Sequence, residues 1–197
     1  MRRATPERLG LFSDGVFAVL ITILVLELHP PAEPTYRALL SHWQQWLSYA
    51  LSYLFIAIVW ANHHYLLRHA EEVTPRLMWT NFAHLFSVSL LPFTTAWMAT
   101  SRLAPEPVSL YALAFFLVNA TYVALIWELV EAESGGSPTD VRAMLRRRSV
   151  ATLFLFAIAA AMALWSALIG LSICVVCLAF YLKPEPGSRS KGQADIS

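Results

Sequence analysis

The stretch SVATLFLFAIAAAMALWSALIGLSICVVCLAFYL, Ser149–Leu182, decides how this chain folds. It holds 34 residues without one Asp, Glu, Lys or Arg. A single helix of that length would run about 51 Å at 1.5 Å per residue. A bilayer's hydrocarbon core is only about 30 Å thick, and a spanning helix needs about 20 apolar residues. The stretch therefore reads as a tight hairpin of two membrane helices that turns near Trp165-Ser166.

Working outward, the sequence offers four more spans. Leu11–Leu28 stops at His29-Pro30-Pro31, Trp46–Leu67 follows, Leu77–Ala99 carries Pro92 inside it, and Val108–Val130 comes next. The expected fold is all-α: residues 11–182 form one transmembrane domain of six helices, over about 11–28, 46–67, 77–99, 108–130, 149–164 and 167–182. Residues 1–10 form a cytoplasmic N-terminus, and residues 183–197 a polar, disordered cytoplasmic tail. Ser134-Gly135-Gly136-Ser137-Pro138 is a flexible break, after which a helix cap and first-turn proline lead through Arg146-Arg147-Arg148 into the fifth span.

Composition agrees. Hydrophobic residues make up 57% and charged residues 14% of the chain, with a mean hydropathy of +0.54. A soluble chain has roughly 45–50% and 25%. So few charges cannot cover a soluble globule, and so much apolar content excludes disorder. The net charge of +1 lacks the basic excess of a nucleic-acid binder, and two Cys do not make a disulfide scaffold.

The basic residues set the orientation. With six spans, Arg2, Arg3, Arg8, Arg68, Arg76, Arg142, Arg146, Arg147, Arg148, Lys183, Arg189 and Lys191 share one side, and Arg37 and Arg102 the other. Twelve against two places both termini in the cytoplasm, and a five-span chain would put Lys183, Arg189 and Lys191 on the wrong side. Tryptophan supports this, because indole favours the membrane interface. Trp43, Trp46, Trp97 and Trp165 fall at outer helix ends, Trp79 and Trp127 at inner ends, and Trp60 alone lies within a span. The first span is retained rather than cleaved as a signal peptide, since Asp14 interrupts the apolar run and no small-x-small site follows Leu28.

Ionisable groups inside a membrane are expensive and so informative. Asp14, His63, His64, Asn81 and His84, with Ser13, Asn62 and Trp60, fall about 5–10 Å inside the cytoplasmic leaflet at 1.5 Å per residue, on the first three helices. Their chemistry suits a hydrogen-bonded clasp between helices, since imidazole, amide and indole N–H can all partner a buried carboxylate. An ion or proton site is the functional alternative. Haem ligation by His63 or His64 with His84 is chemically open, but no other feature signals a cofactor. Cys174 and Cys177 have the spacing of a redox or zinc motif, yet they lie in an apolar span without charged neighbours, which fits packing.

On the first helix, Val19, Thr22, Ile23 and Leu26 recur at i, i+3, i+4 and i+7, one stripe with a single hydroxyl, and Gly15 extends it inward. Arg8-x-x-x-Phe12-Ser13-Asp14 resembles the R-x-x-x-F-S-D signature of the transmembrane protein 175 family of potassium channels, as does the continuation Thr22-Ile23-Leu24-Val25-Leu26-Glu27. Trp60-x-x-His63-His64 resembles the family's W-x-x-H-H, and Asn81-x-x-His84-Leu85 through Leu91-Pro92-Phe93-Thr94 resembles its third helix. The resemblance covers residues 8–100.

It implies a non-enzymatic subunit of six helices, of the prokaryotic single-repeat form in the cell membrane, that assembles as a homotetramer around the first helix. It implies no resident cofactor or metal, monovalent cations as the permeant species with potassium favoured, and no carbonyl filter. By the same resemblance Val19 is the apolar constriction, where the family usually has Ile or Leu. Thr22 is a hydroxyl layer, Ile23 and Leu26 continue the lining, and Arg8, Phe12, Ser13 and Asp14 brace the wall from behind with Trp60, His63, His64, Asn81 and His84. An apolar ring can gate by dewetting, and hydroxyl oxygens can replace part of a cation's hydration. Glu27 and Glu33 stand near the outer mouth, where they would concentrate cations or simply end a helix in water. The rivals are a proton pathway through Asp14, His63, His64 and His84, a membrane enzyme or haem protein, and a non-conducting scaffold.

Overall fold

The structure, a computed structural model, describes residues 5–68, 70, 72–132 and 140–182, with side chains up to residue 129 and from 150 to 179. The tail, the break at Ser134–Pro138, and Arg2 and Arg3 lie outside the described residues. Within them the chain is helical and without strands: α1 (Pro6–Leu26), α2 (Tyr36–Ser41), α3 (Trp43–Leu67), α4 (Pro75–Ser89), α5 (Leu91–Thr100), α6 (Pro105–Ala132), α7 (Asp140–Trp165) and α8 (Ala167–Leu182).

Local chemistry sets the starts. Thr5 and Thr74 each precede a proline at the first helical position, and each hydroxyl oxygen accepts a first-turn amide, from Arg8 at 3.4 Å and Leu77 at 3.0 Å. Pro92 breaks the third apolar stretch. It has no N–H for the Val88 carbonyl, so the helix tightens at Leu90, whose amide bonds Ser87 at 3.4 Å, and resumes as α5. The short α2, capped by Thr35, has too few residues for any periodicity to announce it.

Pro6–Leu26, Trp43–Leu67, the joined Pro75–Thr100 and Pro105–Leu129 are long and apolar enough to cross a membrane. Among the residues with described side chains, the apolar parts of α7 and α8 are Val150–Trp165 and Ala167–Ala179, about 20–24 Å at 1.5 Å per residue. They meet at Ser166 and pack so closely that a Cβ on Gly170 would stand 2.5 Å from Ala163 Cβ. Small residues let the two backbones approach without a hydrophobic driving force.

The central helix is α6, packed by α4, α5, α7 and α8, while α3 packs on α5 and α8. Phe55 stacks on Phe115 at 3.7 Å between ring centres, and Phe156 meets both edge-on. Polar bonds tie helices within this apolar core: Ser52 bonds Thr95 at 2.7 Å and Tyr111 at 2.9 Å, Asn119 donates to Thr152 at 3.0 Å, and Ser109 to the Ala160 carbonyl at 2.8 Å. Helix α1 lies at the rim, chiefly on α3 and also against α4 and α5.

Candidate functional site

One face of α1 is covered and the other is bare. Leu9, Ser13, Phe17, Leu20 and Leu24 are buried, one per turn. Opposite them Val19 is 56% exposed and Leu26 75% exposed, with Gly15 and Thr22 exposed between. Ile23, expected in the same stripe, sits at its edge and is half-buried. The most apolar of the four long helices is thus the one its own chain covers least. Thr22 donates its hydroxyl hydrogen to the Val19 carbonyl at 2.7 Å, which leaves oxygen lone pairs directed outward.

The polar layer divides in two. One part is buried. The Ser13 hydroxyl donates to the Leu9 carbonyl at 2.9 Å, so its oxygen accepts from Asn81 Nδ2 at 3.0 Å. The Asn81 Oδ1 is then the acceptor for His63 Nε2–H at 2.7 Å. His63 therefore carries its hydrogen on Nε2 and presents a bare Nδ1, which has no hydrogen-bond partner among the described residues. His84 stacks on His63 at 5.4 Å and 8°, and its Nδ1 bonds Thr121 Oγ1 at 3.0 Å, itself in contact with Ser87 at 2.9 Å. Phe17 closes the pair at 5.4 Å from His63. This line joins α1, α3, α4 and α6 at one level.

The other part is half-exposed. Asp14 accepts the Trp60 Nε1–H at 2.8 Å through one oxygen, and its second stands 3.6 Å from His64 Nδ1. Both side chains keep contact with open space, 33% for Asp14 and 42% for His64, and border a cavity of about 340 Å³ lined by Glu7, Gly10, Leu11, Leu67 and Arg68. Phe12 leans edge-on against Phe82 at 5.8 Å on the opposite flank of α1 and is itself exposed. Arg8 is exposed and has no ion pair among the described residues. Asn62 instead borders a crevice with Val118, Asn119 and Tyr122 of α6, and its backbone carbonyl accepts from the Tyr122 hydroxyl at 3.4 Å.

Thr121, Ser87 and the Ser52–Thr95–Tyr111 cluster had no signal in the sequence, because a Ser or Thr in a membrane helix can satisfy itself on its own backbone. Among the described residues no group of three His, Cys, Asp or Glu could hold a metal. Cys174 and Cys177 are buried, free thiols.

A family model described as the endosomal/lysosomal potassium channel TMEM175 matches residues 8–92. A protein of Chryseobacterium sp. (strain P1-3), named a potassium channel, is 35% identical over 133 residues, which cover 68% of this chain and 69% of that one. The mouse protein named endosomal/lysosomal proton channel TMEM175 is 30% identical over 115 residues, and the matched part spans only 23% of its length. In fold, the chain resembles the crystal structure of a lysosomal potassium-selective channel TMEM175 homologue from Chamaesiphon minutus, with a TM-score of 0.79 at 24% identity over 89% of this chain and 95% of that one.

Proposed function

The chain belongs to the TMEM175 family of ion channels, and on that premise we propose that it is one subunit of a potassium-permeable cation channel. In this reading six helices cross a bacterial inner membrane, with α4 and α5 counted as one and α7 and α8 crossing as the short hairpin. Both termini lie in the cytoplasm. Four copies gather their α1 helices around a central pore, in which Val19 forms the apolar constriction, Thr22 the hydroxyl layer, and Leu26, flanked by Ile23, the lining toward the outer mouth.

The observation that carries this reading is the bare face of α1. Lipid covers a wholly apolar face as well as protein does; what sets this face apart is one hydroxyl, its lone pairs outward, in the middle of the apolar stripe. Closed cyclic assembly is the common way to bury a repeated face of this kind. A Thr22 oxygen whose hydrogen is already given to the backbone can only accept, which suits a cation that sheds part of its hydration. Without a carbonyl filter, such a ring discriminates modestly between potassium and sodium.

The test is K⁺ and Na⁺ flux from proteoliposomes of the purified protein. Thr22→Val should narrow the K⁺/Na⁺ ratio while flux persists, Val19→Ala should raise flux, and Thr22→Ser should behave as the parent. No cation flux, or none of these changes, would refute the reading.

A proton path is the second reading. The Asp14–His64 contact beside an open cavity supports it, and the mouse relative carries the name of a proton channel. It predicts that Asp14→Asn removes proton flux and spares potassium flux.

A further inference from the structure

The two flanks of α1 differ in a way that points to how copies of the chain meet. On α4–α5, the exposed Trp79, Phe82, Phe86, Phe93 and Trp97 recur at helical spacing along one face. On α3, the exposed Trp46, Ala50, Tyr53 and Ala61, with the half-buried Ala57 between them, do the same. Phe12 ties one flank of α1 to the first seam through Phe82. Asp14 ties the other flank to the second through Trp60 and His64. Successive residues on a helix turn by 100°, so Phe12 and Asp14 stand about 80° to either side of Thr22. The bare face of α1 is therefore bordered by an aromatic seam on one side and a seam studded with alanines on the other.

We propose that the aromatic seam of one copy packs into the alanine seam of the next, and that this head-to-tail pairing closes the ring that completes the α1 pore. The proposal rests on the channel reading above. Two observations favour a second copy over lipid as the occupant. The first is charge: Asp14 and His64 stay part-exposed on the α3 flank at the depth of the buried Ser13–Asn81–His63 line. Ionisable groups at such depth face protein or water rather than hydrocarbon. The second is shape. Bonds within the chain set the levels, since His63 meets Asn81 and Ser52 meets Thr95. Stepping along the helices from these marks puts Phe82 beside Ala61, Phe86 beside Ala57 and Trp97 beside Ala50, each within about 1.5 Å of one height. Phe82, Phe86 and Trp97 on one seam thus face small residues on the other, while Phe93 comes level with Tyr53. Phe82, Phe86 and Phe93 also lie between the terminal indoles, away from the interfacial belt that Trp and Tyr prefer. A contact of unlike surfaces is heterologous, and it closes only if the rotation returns to the start.

Disulfide trapping in native membranes tests this with the full chain. The double variant Ala57→Cys/Phe86→Cys, oxidised with copper–phenanthroline, should give a ladder of linked species ending at the closed ring. Each single variant should stay monomeric on a denaturing gel. Co-expressed single variants should give dimers and nothing larger, because each copy has only half of the contact. Ala50→Cys/Trp97→Cys repeats the test at the outer level, in case one pair disturbs packing. The parent should not link, since Cys174 and Cys177 are buried.

A single variant that dimerises with itself would overturn the pairing. So would two unlinked double variants whose tetramers remain intact by native mass spectrometry, although that result leaves the channel reading standing. Monomers by mass spectrometry together with no cation flux from the parent would remove both.

Discussion

The Asn81 bridge gives a sharp energetic test. Asn81 is fully buried and bonds Ser13 of α1 and His63 of α3 from its place on α4. Asn81→Leu keeps the branched four-atom outline of the side chain and removes both bonds. Interhelical bonds in membranes average about 0.6 kcal/mol, with a maximum near 1.7 kcal/mol. A stranded buried donor adds a desolvation cost of about 1–3 kcal/mol. Here His63 Nε2–H is left without an acceptor, while the Ser13 hydroxyl still donates to the Leu9 carbonyl. The expected loss is therefore about 3 kcal/mol. His63→Leu alone leaves Asn81 Oδ1 unpaired and should cost about 2 kcal/mol, since a carbonyl tolerates desertion better than an N–H. The double variant strands neither group and should be no less stable than Asn81→Leu, a coupling of at least about 2 kcal/mol. Equilibrium unfolding by SDS in mixed micelles reads all four corners of the cycle. If the two losses add within about 0.5 kcal/mol, as independent sites do, the assigned bond and the tautomer built on it are wrong.

Gly170→Leu should destabilise by about 1–3 kcal/mol or more through overpacking, because a Cβ there would stand 2.8 Å from the Ala159 carbonyl oxygen; a lowered unfolding midpoint and lost monodispersity in detergent check it. Arg102 holds a left-handed φ of 54° in the α5–α6 turn, so Arg102→Gly should stabilise by about 1 kcal/mol, measured in the same unfolding assay. Asp14→Asn keeps an oxygen for the Trp60 indole, whereas Asp14→Leu does not. The first should unfold within about 1 kcal/mol of the parent, as part-exposed ion pairs contribute little, and the second should fall further. Equal losses would show that the Trp60 bond contributes nothing.

Much of the fold was legible because membrane helices must satisfy their backbones internally and so declare themselves as long apolar runs. The turn near Trp165-Ser166 was legible in this way, whereas the starts at Pro6 and Pro75 and the break at Pro92, inside what read as one span, came from the structure. The sequence also brought Asp14, Trp60, His63, His64, Asn81 and His84 to one depth, because depth is only rise per residue. Motif order pointed to the family.

What the sequence could not hold was direction around each helix axis relative to its neighbours. The tertiary structure divided the polar layer, sending His63 and Asn81 inward to meet Ser13 and leaving Asp14 and His64 at the surface. It added Thr121 and Ser87 from helices whose hydroxyls carried no signal, and it set Asn62 beside α6. It also separated Ile23 from Val19, Thr22 and Leu26 by covering one edge of α1 and not the other. An apolar side chain looks the same in sequence whether it will meet its own core, lipid, another subunit or an ion. Only packing, which removes some faces from contact and leaves others bare, tells them apart.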